Sequence, residues 1–259
     1  MLESKVAERT IDLDNLVKEL NSEIANKDKF FSIIAHDLRS PFTSMLGFSN
    51  HLIDEINNIT KEELKFIADN IFRSVKLTFG LLENLLDWAQ VKTGKKILSP
   101  EEINLDKILN ELKELYKWNI TDKEIQIIIS GDNHVTAYAD LNMVETIFRN
   151  LISNSIKFTQ KEGCINISYS GEDSKVKIII SDTGVGMSPE KIDKLFHADQ
   201  IFTTPGTRNE KGSGLGLILC KEFIELNHGT ISVKSKLGEG TEFTLTLPKF
   251  EKQVFNINS

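Results

Sequence analysis

A heptad repeat sets the strongest limit on what this chain can fold into. Val6, Thr10, Leu13, Val17, Leu20, Ile24, Lys27, Phe31, Ile34 and Leu38 alternate by four and three, which lines one seam of a helix and winds it around a partner. Thr10 and Lys27 weaken that seam. The pattern passes Pro41 and runs through Met45, Phe48 and Leu52 to about Ile56, where Asn57, Asn58 and Thr60 break it. Thr60 and Glu63 have the spacing of a capping box. They predict a second helix over about 61–92, with Ile67, Ile71, Ser74, Thr78, Leu81, Leu85 and Trp88 in heptad register. Phe72, Val75, Phe79 and Leu82 widen its apolar face, and Thr93, Gly94 and Pro100 end it. Two such helices joined by a short turn cannot bury both faces alone. Pairing two hairpins gives a four-helix bundle, so the pattern predicts a homodimer.

The texture changes after Pro100. Strands are predicted at 125–130, 135–139, 164–170, 176–181, 230–236 and 242–247, and helices at about 105–118, 141–159, 189–195 and 215–227. This is the pattern of an α/β or α+β sandwich with helices on one face of a mixed sheet. The residues from Phe250 on are polar and read as a loose tail. With Lys+Arg 31 against Asp+Glu 38, the net charge of -7 argues against a general nucleic-acid binder. Cys164 and Cys220 have no metal-ligand spacing and read as reduced, packed thiols. No apolar run approaches the roughly 20 residues of a membrane span, and charges rather than an apolar run follow Met1. The segment therefore reads as soluble and cytoplasmic. A coiled coil beginning at residue 1 fits a piece of a longer chain.

Four clusters can carry chemistry. With Phe31 and Leu38 on the seam, His36 falls at the outward f position, where an imidazole is reachable. Asp37 beside it can fix its tautomer and take its ring proton, and Pro41 denies the Asp37 carbonyl its helical donor, predicting a bend. Asn150, Asn154 and Lys157 share a helix face at i, i+4 and i+7. Their neutral amide oxygens suit Mg²⁺, and the lysine suits phosphates. Asp182-Thr183-Gly184-Val185-Gly186-Met187 follows an apolar strand and sets a carboxylate against a closely approachable backbone. Gly212-Ser213-Gly214-Leu215-Gly216-Leu217 opens a helix whose N–H groups can face phosphate. It lacks both the Rossmann spacing and the Walker ending. Each has a plain alternative: a surface histidine, a polar helix face, a bare turn and a glycine-rich loop. Between the last two clusters, the long loop 197–211 has the size of a functional lid.

Taken in order, the strings His36-Asp37-Leu38-Arg39-Ser40-Pro41, Asn150 to Thr159, Asp182 to Met187 and Gly212 to Leu217 resemble the motifs of sensor histidine kinases. The resemblance covers about Val6 to Lys249. It implies a helical-hairpin dimerisation domain followed by a Bergerat-type ATP-binding α/β sandwich. The divisions would be a coiled-coil signalling helix at 1–28, a dimerisation and phosphotransfer domain at 29–96, an ATP-binding domain at 101–249 and a tail at 250–259. By the same resemblance, ATP and Mg²⁺ are the cofactors and His36 receives the γ-phosphoryl group with Asp37 assisting. Ser40 holds the position that in the family assists dephosphorylation. Asn154 would bind the metal, Asn150 and Lys157 would lie near the phosphates, and Phe158 would lie against the adenine. Asp182 would accept from the adenine amino group and Met187 would pack on the base. Gly184, Gly186, Gly212, Gly214, Leu215 and Gly216 would let the nucleotide approach, and Arg208 and Lys211 are the lid's candidate cations. The phosphoryl group would pass to an aspartate of a response-regulator receiver domain. Two rivals stand beside this reading. A free ATPase of the same superfamily would carry a glutamate where Asn150 stands, and a degenerate scaffold would have lost Asn154, Asp182 or the glycines.

Overall fold

The computed structural model describes residues 2–93, 98–196, 204–208, 210, 214 and 216–250. The chain divides into two compact units, 1–86 and 87–259.

The first unit is a helical hairpin. Helix α1, Leu2–Asp54, continues through Pro41, and α2 spans Lys61–Lys92. The expected capping box is formed: Thr60 N donates to Glu63 Oε2 at 2.9 Å, and Glu63 N donates to Thr60 Oγ1 at 3.2 Å. The Thr60 backbone bond is the chief reason that the Glu63 carboxyl titrates below its usual range. On α2 the seam residues Ile67 and Ser74 are buried, and Ile71, Thr78 and Leu85 are half-buried. A second stripe, Phe72, Val75, Phe79, Leu82 and Leu86, repeats by three and four and is exposed. Leu13, Val17, Leu20 and Ile24 of the α1 seam are exposed as well. So much bare apolar surface marks an unfilled interface.

The second unit is a sandwich. Strand β1 (Pro100–Asn104) leads into α3 (Leu105–Leu115), α4 (Lys117–Asp122), β2 (Gln126–Gly131) and β3 (Thr136–Asp140). Then come α5 (Leu141–Phe158), β4 (Cys164–Glu172), β5 (Lys175–Asp182), the short α6 (Pro189–Ile192), α7 (Gly216–Leu226), β6 (Thr230–Lys236) and β7 (Gly240–Pro248). The five-stranded sheet has the order β2-β4-β5-β7-β6, with β2 and β4 parallel and the other neighbours antiparallel. Strands β1 and β3 pair as a separate antiparallel ribbon. The mixed sheet and helical layer are those expected from the sequence.

Two local differences have physical causes. Strand β1 reads Pro-Glu-Glu-Ile-Asn and buries only Ile103, so it has no alternation to announce it and is held by pairing with β3. The helix expected over 105–118 stops at Leu115 and restarts at Lys117, with Tyr116 at the joint. The buried face of α3, Leu105, Ile108, Leu109 and Leu112, ends there.

Period-two geometry puts Val176, Ile178 and Ile180 of β5 on the face beneath the helices, with Ile165 and Ile167 of β4 and Phe243, Leu245 and Leu247 of β7 beside them. Helix α5 covers that face with Met143, Val144, Ile147, Phe148, Leu151, Ile152 and Ile156. It begins at Asp140, whose Oδ1 accepts from Met143 N at 3.1 Å while its Oδ2 accepts from Ser99 N at 3.2 Å.

Candidate active site

The same alternation that buries the β5 isoleucines carries one residue further, and that residue is Asp182. Its carboxylate therefore points to the helix-covered face at the end of a strand, 9% exposed. Such a group survives only if it is hydrogen-bonded. Gly184 N and Thr241 N donate to Oδ1 at 3.0 and 3.3 Å, and Ser155 Oγ donates to Oδ2 at 3.0 Å. Burial pushes the Asp182 carboxyl above its usual range and outweighs these three donors.

The loop that follows is stitched down on both sides. Val185 N donates to the Phe158 carbonyl at the end of α5 at 3.2 Å, and the Val185 carbonyl accepts from Gly238 N at 2.8 Å. Met187 N donates to Ser235 Oγ at 2.9 Å. Gly186 sits at φ +62, and a Cβ there would lie 1.9 Å from the Lys236 carbonyl oxygen, so no other residue fits.

Helix α5 lies directly against this loop, bonded to it through Ser155 and Phe158. Asn150 donates from Nδ2 to the Thr146 carbonyl at 2.9 Å. Its Oδ1 lies against Gly216 at the start of α7, only 2.4 Å from where a Cβ would stand. One turn on, the half-buried Asn154 side chain makes no hydrogen bond to any other described residue. The hard oxygen of such an amide is of the kind that fits Mg²⁺. Lys157 sets its ammonium 4.7 Å from the centre of the Phe158 ring, a cation–π contact. Burial lowers its pKa, Glu210 opposes that shift and Lys123 adds to it.

The expected site residues thus fall into groups. Asn150, Asn154, Lys157 and Phe158 occupy the last turns of α5. Asp182, Gly184, Gly186 and Met187 form the stitched loop, bonded to α5 through Ser155 and Phe158. Gly216 begins α7, and Gly214 lies just before it at φ 72. Arg208 is engaged elsewhere: Nη1 pairs with Asp122 Oδ2 and Nη2 donates to the Asp122 carbonyl at 2.9 Å. Lys211, Gly212 and Leu215 lie outside the described residues. His36 and Asp37 belong to α1 in the other unit, but their side chains lie outside what is described; Ser40 is exposed.

Sequence reasoning missed Ser155, Thr241 and Lys123. The Lys123 ammonium donates to the carbonyls of Ile156 and Lys157 at 2.9 and 3.0 Å and to Thr207 Oγ1 at 2.7 Å, and pairs with Glu210 Oε1 at 2.9 Å. In sequence it is one charge within Asp122-Lys123-Glu124, and only the folded chain brings it under α5.

Residues 139–251 match the family described as histidine kinase-, DNA gyrase B- and HSP90-like ATPase, and residues 26–94 match the His Kinase A (phospho-acceptor) domain. The circadian input-output histidine kinase CikA of Synechococcus elongatus is 30% identical over 254 residues. That match takes in 96% of this chain but 33% of CikA, so the chain spans about a third of that relative. The histidine protein kinase SaeS of Staphylococcus aureus is 30% identical over 246 residues, 93% of this chain and 69% of SaeS. Among solved structures, the histidine kinase ThkA in complex with the response regulator protein TrrA shares the fold, with a TM-score of 0.63 at 23% identity over 85% of this chain and 61% of that one.

Proposed function

Because this chain belongs to the histidine protein kinases, we propose that it is an ATP-dependent autokinase that phosphorylates its own His36. The observation that carries this reading is the buried Asp182 carboxylate bonded to Ser155 of α5, the residue next to the half-buried Asn154 amide. One group suits a metal–phosphate end and the other a base.

In this reading Asp182 accepts from the adenine amino group, with Oδ1 held by Gly184 and Thr241 and Oδ2 held by Ser155. Phe158 and Met187 flank the base. Lys157 and Asn150 face the phosphates, with the backbone around Gly212, Gly214, Leu215 and Gly216 at the α7 end. Asn154 would hold Mg²⁺, whose contribution when bound is to spread the charge of the triphosphate. A nitrogen of His36 attacks the γ-phosphorus in line; the new P–N bond forms as the bond to the β,γ-bridging oxygen breaks, and ADP leaves. Asp37 takes the ring proton from the other nitrogen. Asn150 has no basic atom with which to activate water, which favours transfer to histidine over free hydrolysis.

The exposed stripe Phe72, Val75, Phe79, Leu82 and Leu86, with the bare α1 seam, supports a homodimer closed as a four-helix bundle. A response-regulator receiver aspartate is the proposed acceptor, as the pairing of ThkA with TrrA supports, and exposed Ser40 is the proposed aid to the reverse step. Among the described residues, no helix is long and apolar enough to cross a membrane. We place the segment on the cytoplasmic side of a signalling protein, with the coiled coil, phosphotransfer hairpin, ATP-binding sandwich and tail bounded at 28, 96, 101 and 249 as read from the sequence.

Incubation with γ-labelled ATP and Mg²⁺ tests the proposal. Wild type should gain an acid-labile, base-stable label that maps to His36, and His36→Ala should gain none. Equal labelling of both proteins sinks the proposal.

A further inference from the structure

We propose that Lys123 is a positioning residue for the phosphate end of the nucleotide site: it holds the lid carboxylate Glu210 away from Lys157, leaving the Lys157 ammonium free for phosphate. The inference rests on the nucleotide-binding role proposed above for Lys157.

Lys123 has only 6% of its side chain exposed. Its ammonium is surrounded by four oxygens, from Ile156, Lys157, Thr207 and Glu210, at 2.7 to 3.0 Å. Two are carbonyls of the last turn of α5, which have no donor within the helix, and a cation there also suits the helix dipole. The other two belong to the end of the lid. That piece is itself a tight turn: Gly206 N donates to the Glu210 carbonyl at 2.9 Å, Arg208 N donates to Glu210 Oε2 at 2.7 Å, and Thr207 N donates to the Lys157 carbonyl at 3.1 Å. Lys123 thus fastens the lid's end and the end of α5 to one post.

The consequence concerns charge. Glu210 and Lys157 attract one another, and Gly206 in the same turn approaches so closely that a Cβ would lie 2.5 Å from Lys157 Cγ. Yet Lys157 forms no ion pair among the described residues; its ammonium lies over Phe158. Glu210 instead gives one oxygen to Lys123 and the other to Arg208 N. With Lys123 gone, Glu210 loses its cation and turns to Lys157, which already feels its charge. A lysine neutralised in this way no longer attracts phosphate.

Displacement of a fluorescent adenine nucleotide by ATP and by adenosine tests this. Lys123→Met should weaken ATP about tenfold and leave adenosine unchanged, because only the phosphate end loses its cation. Adding Glu210→Gln in the same chain should bring ATP affinity back to within about threefold of wild type, since no carboxylate then competes for Lys157. Lys123→Gln, which still donates to the two carbonyls but carries no charge, should show the same split if the methionine variant does not fold. Equal loss of ATP and adenosine, or no recovery in the double variant, means that Lys123 is structural only and overturns the inference. Wild-type ATP affinity in both single variants overturns it as well, and leaves the kinase proposal standing if wild type labels His36. A wild type that ignores ATP removes both.

Discussion

The two units treat apolar surface in opposite ways. In the sandwich, Phe148, Phe223, Leu151 and Ile178 are almost fully enclosed, and three helices close over one face of the sheet. In the hairpin, Ile67 is the one buried apolar residue among those described, while Phe72 and Phe79 stand 68% and 58% exposed. The sandwich satisfies itself within one chain. The hairpin has the periodicity of a core but leaves a stripe bare; in the proposed homodimer a second molecule covers it, and the hairpin's stability would then depend on protein concentration in a way that the sandwich's does not.

The sharpest way to break that contrast is Phe148→Ala. Emptying an enclosed ring site should cost about 3–5 kcal/mol, lowering the melting transition of the sandwich by the same amount at any concentration while the helical signal of the hairpin persists. Loss of both signals together would show that the units fold as one. Phe79→Glu should do the reverse. A charge on the exposed stripe should cost about 2–4 kcal/mol of association, read as a monomer by sedimentation with ATP affinity kept.

Asp182 offers a test inside the sandwich. Burial raises its folded pKa above the unfolded value. Its contribution to stability is therefore present below the unfolded pKa and lost as pH rises through the folded one. At neutral pH the buried charge opposes folding, so Asp182→Asn should raise the melting temperature of the nucleotide-free protein while weakening ATP about tenfold to a hundredfold. Since the carboxylate accepts from the base more strongly than the neutral acid, ATP affinity in wild type should fall as pH drops toward that raised pKa, above the usual aspartate range. An unchanged affinity across that window would remove Asp182 from base recognition. The smallest effect is Thr60→Ala, which breaks the capping box and should cost about 1 kcal/mol, read as a shift in the concentration-dependent transition alone.

What could be read from the sequence follows the same division. Local rules located the heptads, the Thr60–Glu63 box, the α5 face and the Asp182 turn, because each is written within about one helical repeat. Strand β1 could not be read, since Pro100–Asn104 owes its form to β3. The second stripe on α2 was visible only as a wider apolar face; which stripe stays bare became clear from burial. Lys123 lay out of reach for the same reason as β1, because its partners lie 33 and 84 residues away. The side-chain setting of His36 rests on the heptad alone.

Asp140 joins two parts of the sandwich at one carboxylate. The residue that caps α5 also grips Ser99, the first stretch of chain to enter the sandwich after α2. The 18 residues of α5 form a rod about 27 Å long, with that grip at one end and Asn154 and Lys157 near the other. Within the sandwich, α5 is thus a stiff lever, held at its butt by Ser99 and carrying at its tip the groups proposed to face phosphate.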